Sequence, residues 1–98
     1  MSIAVVFDVP GMTEAQYDTV MRDLDERGAS APDGRLAHVA AGSPGGWWVM
    51  DLWASPEQLV RFVPVLMPAF VAVGVTPPRP TILPVHRSEI PVPEAPGL

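Results

Sequence analysis

The stretch Trp47-Trp48-Val49-Met50-Asp51-Leu52-Trp53 constrains the fold more than any other part of the chain. Read as a strand, it places Trp47, Val49, Asp51 and Trp53 on one side and Trp48, Met50 and Leu52 on the other, because successive side chains alternate across the pleat. Both sides are bulky and mostly apolar. Helices of the same chain can cover one face of such a sheet, so the second face needs another cover. The 98 residues leave room for a single domain, and a domain of that size buries only a modest share of its surface. Yet 48% of the chain is hydrophobic. A second copy of the chain is the expected cover for the surplus, giving a homodimer.

The remaining elements follow from local signals. Ile3 to Val9 is a Val-rich run ended by Pro10-Gly11, apolar on two sides and therefore a covered strand. Thr13 and Gln16 make a capping box for a helix whose Tyr17, Val20, Met21 and Leu24 form one apolar stripe and which ends at Gly28. A second strand is expected from Arg35 to Ala41, then a hairpin connection over Gly42 to Gly46 and the strand Trp47 to Trp53. Ser55-Pro56-Glu57 caps and opens a second helix. Pro64 and Pro68 predict that this helix is kinked or broken, with a second piece near Pro68 to Val73, since proline removes an amide donor and clashes with the preceding turn. A fourth strand is expected over Thr81 to Ile90, at a sheet edge because of Pro84. The order is βαββαβ over residues 1–90, with a Pro-rich flexible tail at 91–98. The crossover rule places the first and third strands as parallel central neighbours, with both helices on one face.

Charge excludes several partners. Eleven acidic residues against six scattered Arg give a net charge of -5, which carries no nucleic-acid footprint and disfavours anionic membrane surfaces. There is no Cys, hence no disulfide, thiol nucleophile or zinc-thiolate site. The N-terminal run has no basic leader and reads as neither signal peptide nor membrane span, so a cytoplasmic location is expected.

The runs Pro10-Gly11-Met12-Thr13, Leu36-Ala37-His38-Val39-Ala40, Gly46 to Ser55 and Pro84-Val85-His86-Arg87 together resemble small bacterial proteins of the dimeric α+β barrel superfamily, near the antibiotic biosynthesis monooxygenase-like group. The resemblance covers about residues 3–90. It implies an α+β, ferredoxin-like βαββαβ fold with a four-stranded antiparallel sheet, helices on one face, and two sheets packed as a homodimeric barrel. It also implies a pocket between sheet and helices, lined by the Trp that ends the third strand, here Trp53. Trp47, Val49 and Asp51 share that side, leaving Trp48, Met50 and Leu52 for the partner. Relatives that form quinols or degrade haem carry a pocket Asn, and this chain has none.

His38 is the best candidate for a catalytic base: a mid-strand imidazole whose ordinary pKa suits proton abstraction from a phenol or from carbon beside a carbonyl. Its other reading is a core His satisfied by a backbone or carboxylate partner. Asp51 is an acid on a face of Trp and Val, either a proton-transfer partner or half of a buried pair with His38 or Arg87. Trp53, Trp47 and Tyr17 are candidate walls for a flat aromatic substrate, or ordinary core. His86, on the face of Ile82 and Pro84, reaches either the pocket or the dimer seam. No ligand spacing supports a metal site at His38, Asp51 and His86, and no cofactor is expected. Two functions follow: a cofactor-free enzyme that oxygenates or cyclises an aromatic or polyketide-like substrate after proton abstraction, or a dimeric binding or accessory protein without chemistry. Haem binding through a His is a third. A solvent-reachable cavity of roughly 300 Å³ touching His38 favours ligand function.

Overall fold

Alternating burial defines the first strand, β1 (Ile3–Pro10), in which Ile3, Val5, Phe7 and Val9 are buried and Asp8 is exposed. The structure, a computed structural model, describes residues 1–90; the tail expected at 91–98 lies outside the described residues. α1 (Glu14–Glu26) begins with the capping box, Thr13 accepting from the Gln16 amide while the Gln16 side chain accepts from the Thr13 amide. β2 (Arg35–Ser43) and β3 (Gly46–Trp53) form a hairpin tighter than the expected Gly42–Gly46 connection. Pro44-Gly45 alone makes the turn, with Gly45 at φ +75° supplying the positive angle that a Pro-Gly turn needs. α2 (Pro56–Ala72) follows, and β4 (Thr81–Pro84) closes the sheet.

The strand order is β2-β3-β1-β4, and every pairing is antiparallel. β1 and β3 are central neighbours as expected, but antiparallel rather than parallel. The reason is topological. The crossover through α1 makes β1 and β2 parallel and leaves a gap between them; the hairpin then turns β3 back into that gap. β4 is shorter than the expected Thr81–Ile90. Pro84 has no amide donor to continue the ladder, and after one more bond, from the Val85 amide to the Ser2 carbonyl at 3.0 Å, the chain leaves the sheet.

Helix α2 is continuous, against the expected break at Pro64 and Pro68. Both prolines, and Val60 one turn before them, are exposed. The carbonyls of Val60 and Pro64 that lose their helical donors therefore lie on the side of the helix that faces solvent, where water replaces the missing amides. The opposite side, Leu59, Phe62, Leu66, Ala69 and Phe70, is buried. It packs with Val20 and Leu24 of α1 over the inner sheet face in one core. Each large buried side chain of that side contributes about 1.5–3 kcal/mol, so Leu59, Phe62, Leu66 and Phe70 together offset the roughly 3 kcal/mol that each proline costs.

Among the described residues, nothing covers the outer sheet face. Register stacks Thr81, Val6, Met50 and Val39 in one row and Leu83, Ala4, Leu52 and Ala37 in the next. Val39, Met50 and Leu83 are exposed. No helix among the described residues is long and apolar enough to cross a membrane.

Candidate functional site

His38 and Asp51 are direct cross-strand partners on the inner face. Asp51 is 5% exposed and is the one charged side chain buried among the described residues. Burying a carboxylate is costly unless donors meet it. Two do: His38 Nδ1 lies 2.5 Å from Oδ1, and the Trp53 indole Nε1 donates to Oδ2 at 3.3 Å. On the far side of the imidazole, the Tyr17 hydroxyl lies 2.6 Å from Nε2, and the two rings are nearly coplanar, at 7°. Tyr17 is carried there by the second turn of α1, on the apolar stripe. With Nδ1–H donating to the carboxylate, Nε2 is the acceptor and the Tyr17 hydroxyl donates to it. The result is an unbroken chain, Trp53–Asp51–His38–Tyr17, with a proton acceptor in its middle.

Burial pushes the Tyr17 phenol up from its ordinary value; the Arg35 guanidinium opposes that rise, while Asp51 and Asp18 add to it. Arg35 was not among the residues the sequence singled out, and strand alternation explains why. Residues 35 and 38 differ in parity and belong on opposite faces of a regular strand. The register slips between Arg35 and Ala37, so Arg35 opposes Trp53 while His38 opposes Asp51. Leu36 is the extra residue of a β-bulge, and Arg35 is turned onto the face of His38.

The pocket expected between sheet and helices is present around these groups but small. That interior space is about 30 Å³, lined by Tyr17, His38, Asp51, Arg35, Phe7 and Phe62 among others; it has room for about one water. A wider space that also touches His38 lies at the β2 edge. An open cleft of about 370 Å³ runs between the loop at Ser30–Pro32 and β2, and its wall includes His38 and Arg35. These two side chains border both spaces.

The other candidates fall as follows. Trp53 is fully buried, tilted against Phe62 at 5.6 Å, and meets the cluster through its indole N–H. Trp47 packs on Tyr17 at 5.2 Å, and its Nε1 is buried without a partner. His86 is exposed beyond the end of β4 and is not brought to the cluster. Arg87 pairs with Glu89 at 2.7 Å on the surface, not with Asp51. Among the described residues, no three His, Asp or Glu side chains gather as a metal-binding group.

Comparison with known proteins places this geometry in a known architecture. No protein-family model matches the chain, and no curated protein matches it. Solved structures do. A candidate antibiotic biosynthesis monooxygenase of Chloroflexus aurantiacus J-10-fl superposes with a TM-score of 0.63 at 23% identity, covering 93% of this chain and 100% of that one. The chain has the antibiotic biosynthesis monooxygenase-like fold. A candidate monooxygenase of the same description from Caulobacter crescentus CB15 gives 0.63 at 23% identity over 90% of this chain and 91% of that one. SnoaB, a cofactor-independent oxygenase of Streptomyces nogalater, shares this monooxygenase-like fold with a TM-score of 0.59 at 14% identity, over 89% and 93% of the two chains.

Proposed function

We propose that this protein is a cofactor-free enzyme of the monooxygenase-like type that removes a proton from an aromatic or polyketide-like small molecule. The observation that carries the reading is His38 held between a buried carboxylate at 2.5 Å and a phenol at 2.6 Å. Asp51 fixes the imidazole with Nε2 as acceptor and steadies the imidazolium once it forms. Tyr17 occupies Nε2, so the substrate proton travels through its hydroxyl. The phenol oxygen takes the proton from substrate carbon as its own proton passes to Nε2. The C–H bond breaks, and its electron pair stays on the substrate as an enolate. The body of the substrate lies in the β2-edge cleft, and only its reacting edge reaches the one-water space beside Tyr17. Oxygen addition to the anion, or ring closure, is the step that follows; the likeness in fold to a cofactor-independent oxygenase supports the former.

The uncovered outer face supports a homodimer, with Trp48, Met50 and Leu52 of one subunit against the partner. Native mass spectrometry reads the subunit count directly. A monomer at micromolar concentration contradicts it.

The test of the chemistry needs no knowledge of the natural substrate. The protein in D2O is given 2-tetralone, an aromatic ketone with acidic α-hydrogens, and deuterium uptake is followed by NMR. General-base catalysis contributes about 10²–10⁴-fold, so His38→Ala is expected to lower the rate toward that of buffer. Exchange no faster than buffer with the unaltered protein, or undiminished in His38→Ala, removes the proposal. The small interior space, about 30 Å³ against roughly 300 Å³ or more for ordinary ligand pockets, favours a second reading: a dimeric accessory protein without chemistry. The same assay separates the two.

A further inference from the structure

The geometry points to the β2-edge cleft as a binding site for a planar aromatic anion, a carboxylate or enolate oxygen paired with Arg35 and the ring system laid against Leu36, Ala31 and Pro32. This deepens the proposed function, and rests on it for what happens to the ligand once bound. Four observations carry it. First, the β-bulge spends an extra residue to turn Arg35 onto the face of His38; bulges that re-aim a side chain are concentrated beside functional sites. Second, Arg35 has no acidic partner among the described residues. The ion pairs there use Arg27 and Arg87, the Asp51 carboxylate is met by His38, and the Arg35 guanidinium makes one hydrogen bond, from Nη2 to the Ser30 carbonyl at 2.7 Å. That bond leaves most of its donors free for a carboxylate or enolate oxygen.

Third, among the described residues no acidic side chain lines the cleft. Its wall is Ser30, Ala31, Pro32, Leu36 and Ala37 beside Arg35 and His38. In a chain of net charge -5, a cleft whose only fixed charge is positive is selective for anions. Fourth, Ala31, Pro32, Leu36 and Ala37 make part of the wall apolar, and Leu36, pushed out by the bulge, is half exposed, so a ring finds an apolar surface next to the charge. The Arg35 charge also reaches the Tyr17 phenol, which places the bound anion within the same electrostatic neighbourhood as the relay.

The test compares two rings of the same shape, 2-naphthoate and the uncharged 2-naphthamide, titrated into the full chain. Binding is read by calorimetry and by the His38 imidazole signals in NMR. Naphthoate is expected to bind at least about tenfold more tightly than the amide and to move the His38 signals. Arg35→Gln is expected to abolish the difference and Arg35→Lys to keep part of it. Leu36→Glu, which places a negative charge in the cleft and removes an apolar contact shared by both rings, is expected to weaken naphthoate more than the amide. Equal binding of the two rings overturns the proposal, as does an Arg35→Gln protein, folded by near-UV circular dichroism, that still prefers the anion. So does naphthoate that leaves His38 unmoved. Failure of the proton-transfer reading shows separately: deuterium exchange stays at the buffer rate while naphthoate binding through Arg35 persists.

Discussion

Replacing His38 by Leu removes the partner that Asp51 has at 2.5 Å and the only one that the Tyr17 hydroxyl has among the described residues. The carboxylate stays 5% exposed, with a single long bond from Trp53 at 3.3 Å. Leaving a buried carboxylate without its hydrogen-bond donor costs about 3 kcal/mol or more, because the acceptor is charged. His38 is partly exposed, with 22% of its side chain reaching solvent, so water offsets part of that and about 2–3 kcal/mol is the better expectation for the carboxylate. The orphaned phenol adds about 1 kcal/mol. A loss of about 3–4 kcal/mol is a large fraction of the 5–15 kcal/mol typical of a whole domain. The assay is urea unfolding followed by tryptophan fluorescence, at fixed protein concentration because any self-association would add to apparent stability. Asp51→Leu and the double variant complete a cycle. A coupling of at least about 1 kcal/mol between the two sites is expected. A loss under about 1 kcal/mol in His38→Leu, or additive single losses, refutes the buried pair as the feature that organises this site.

Other perturbations read the same structure. Tyr17 is the one Tyr in the chain, so absorbance at 295 nm reports it alone: it should ionise above its ordinary value of 10.0 because burial disfavours the phenolate. The stability linked to that raised value is complete below pH 10 and is lost as pH climbs through the folded-state value; Tyr17→Phe should remove that alkaline loss, and an ordinary titration in the folded protein contradicts it. Tyr17→Phe should also slow 2-tetralone exchange by about 10-fold or more if the hydroxyl passes the proton, since each member of such a chain acts in the transition state; unchanged exchange means the hydroxyl is simply displaced. Gly46→Ala should lower Tm by several degrees, because a Cβ there lies 2.6 Å from the Val9 carbonyl oxygen and that backbone is locked in the central pairing; an unchanged Tm rejects this register. Pro64→Ala restores an α2 amide donor on the exposed side and should raise Tm, by about 1 kcal/mol or more of stability; a fall in Tm shows that the ring is needed where it stands.

What was legible in the sequence was whatever depends on alternation and local caps. The faces of β3 separate as the pattern of Trp47 to Trp53 requires: Val49, Asp51 and Trp53 are buried while Met50 is exposed. Thr13 and Ser55 cap the two helices where their side chains predicted. His38 and Asp51 were legible as candidates because each is a titratable group among apolar neighbours, and the hairpin register makes them partners. What failed depends on context that no local pattern carries. The continuity of α2 is decided by where the prolines face, and Pro64 and Pro68 both face water. The direction of β3 against β1 is decided by the gap that the first crossover leaves. Arg35 was hidden by the bulge at Leu36, since strict alternation assigns it to the wrong face. The pocket lies between sheet and helices as expected, but large side chains such as Phe7 and Phe62 fill most of it, and a wider opening lies at the edge strand.

The central claim is that His38 is held with Nδ1–H toward Asp51 and a bare Nε2 toward the Tyr17 hydroxyl. Long-range proton–nitrogen NMR of the two imidazoles tests it, with exposed His86 as the internal reference. The account predicts that above neutral pH His38 shows the Nδ1–H tautomer, with a downfield, slowly exchanging Nδ1 proton that disappears in Asp51→Leu, while His86 shows mixed tautomers. A His38 whose nitrogens match those of His86, or that carries its proton on Nε2, contradicts it.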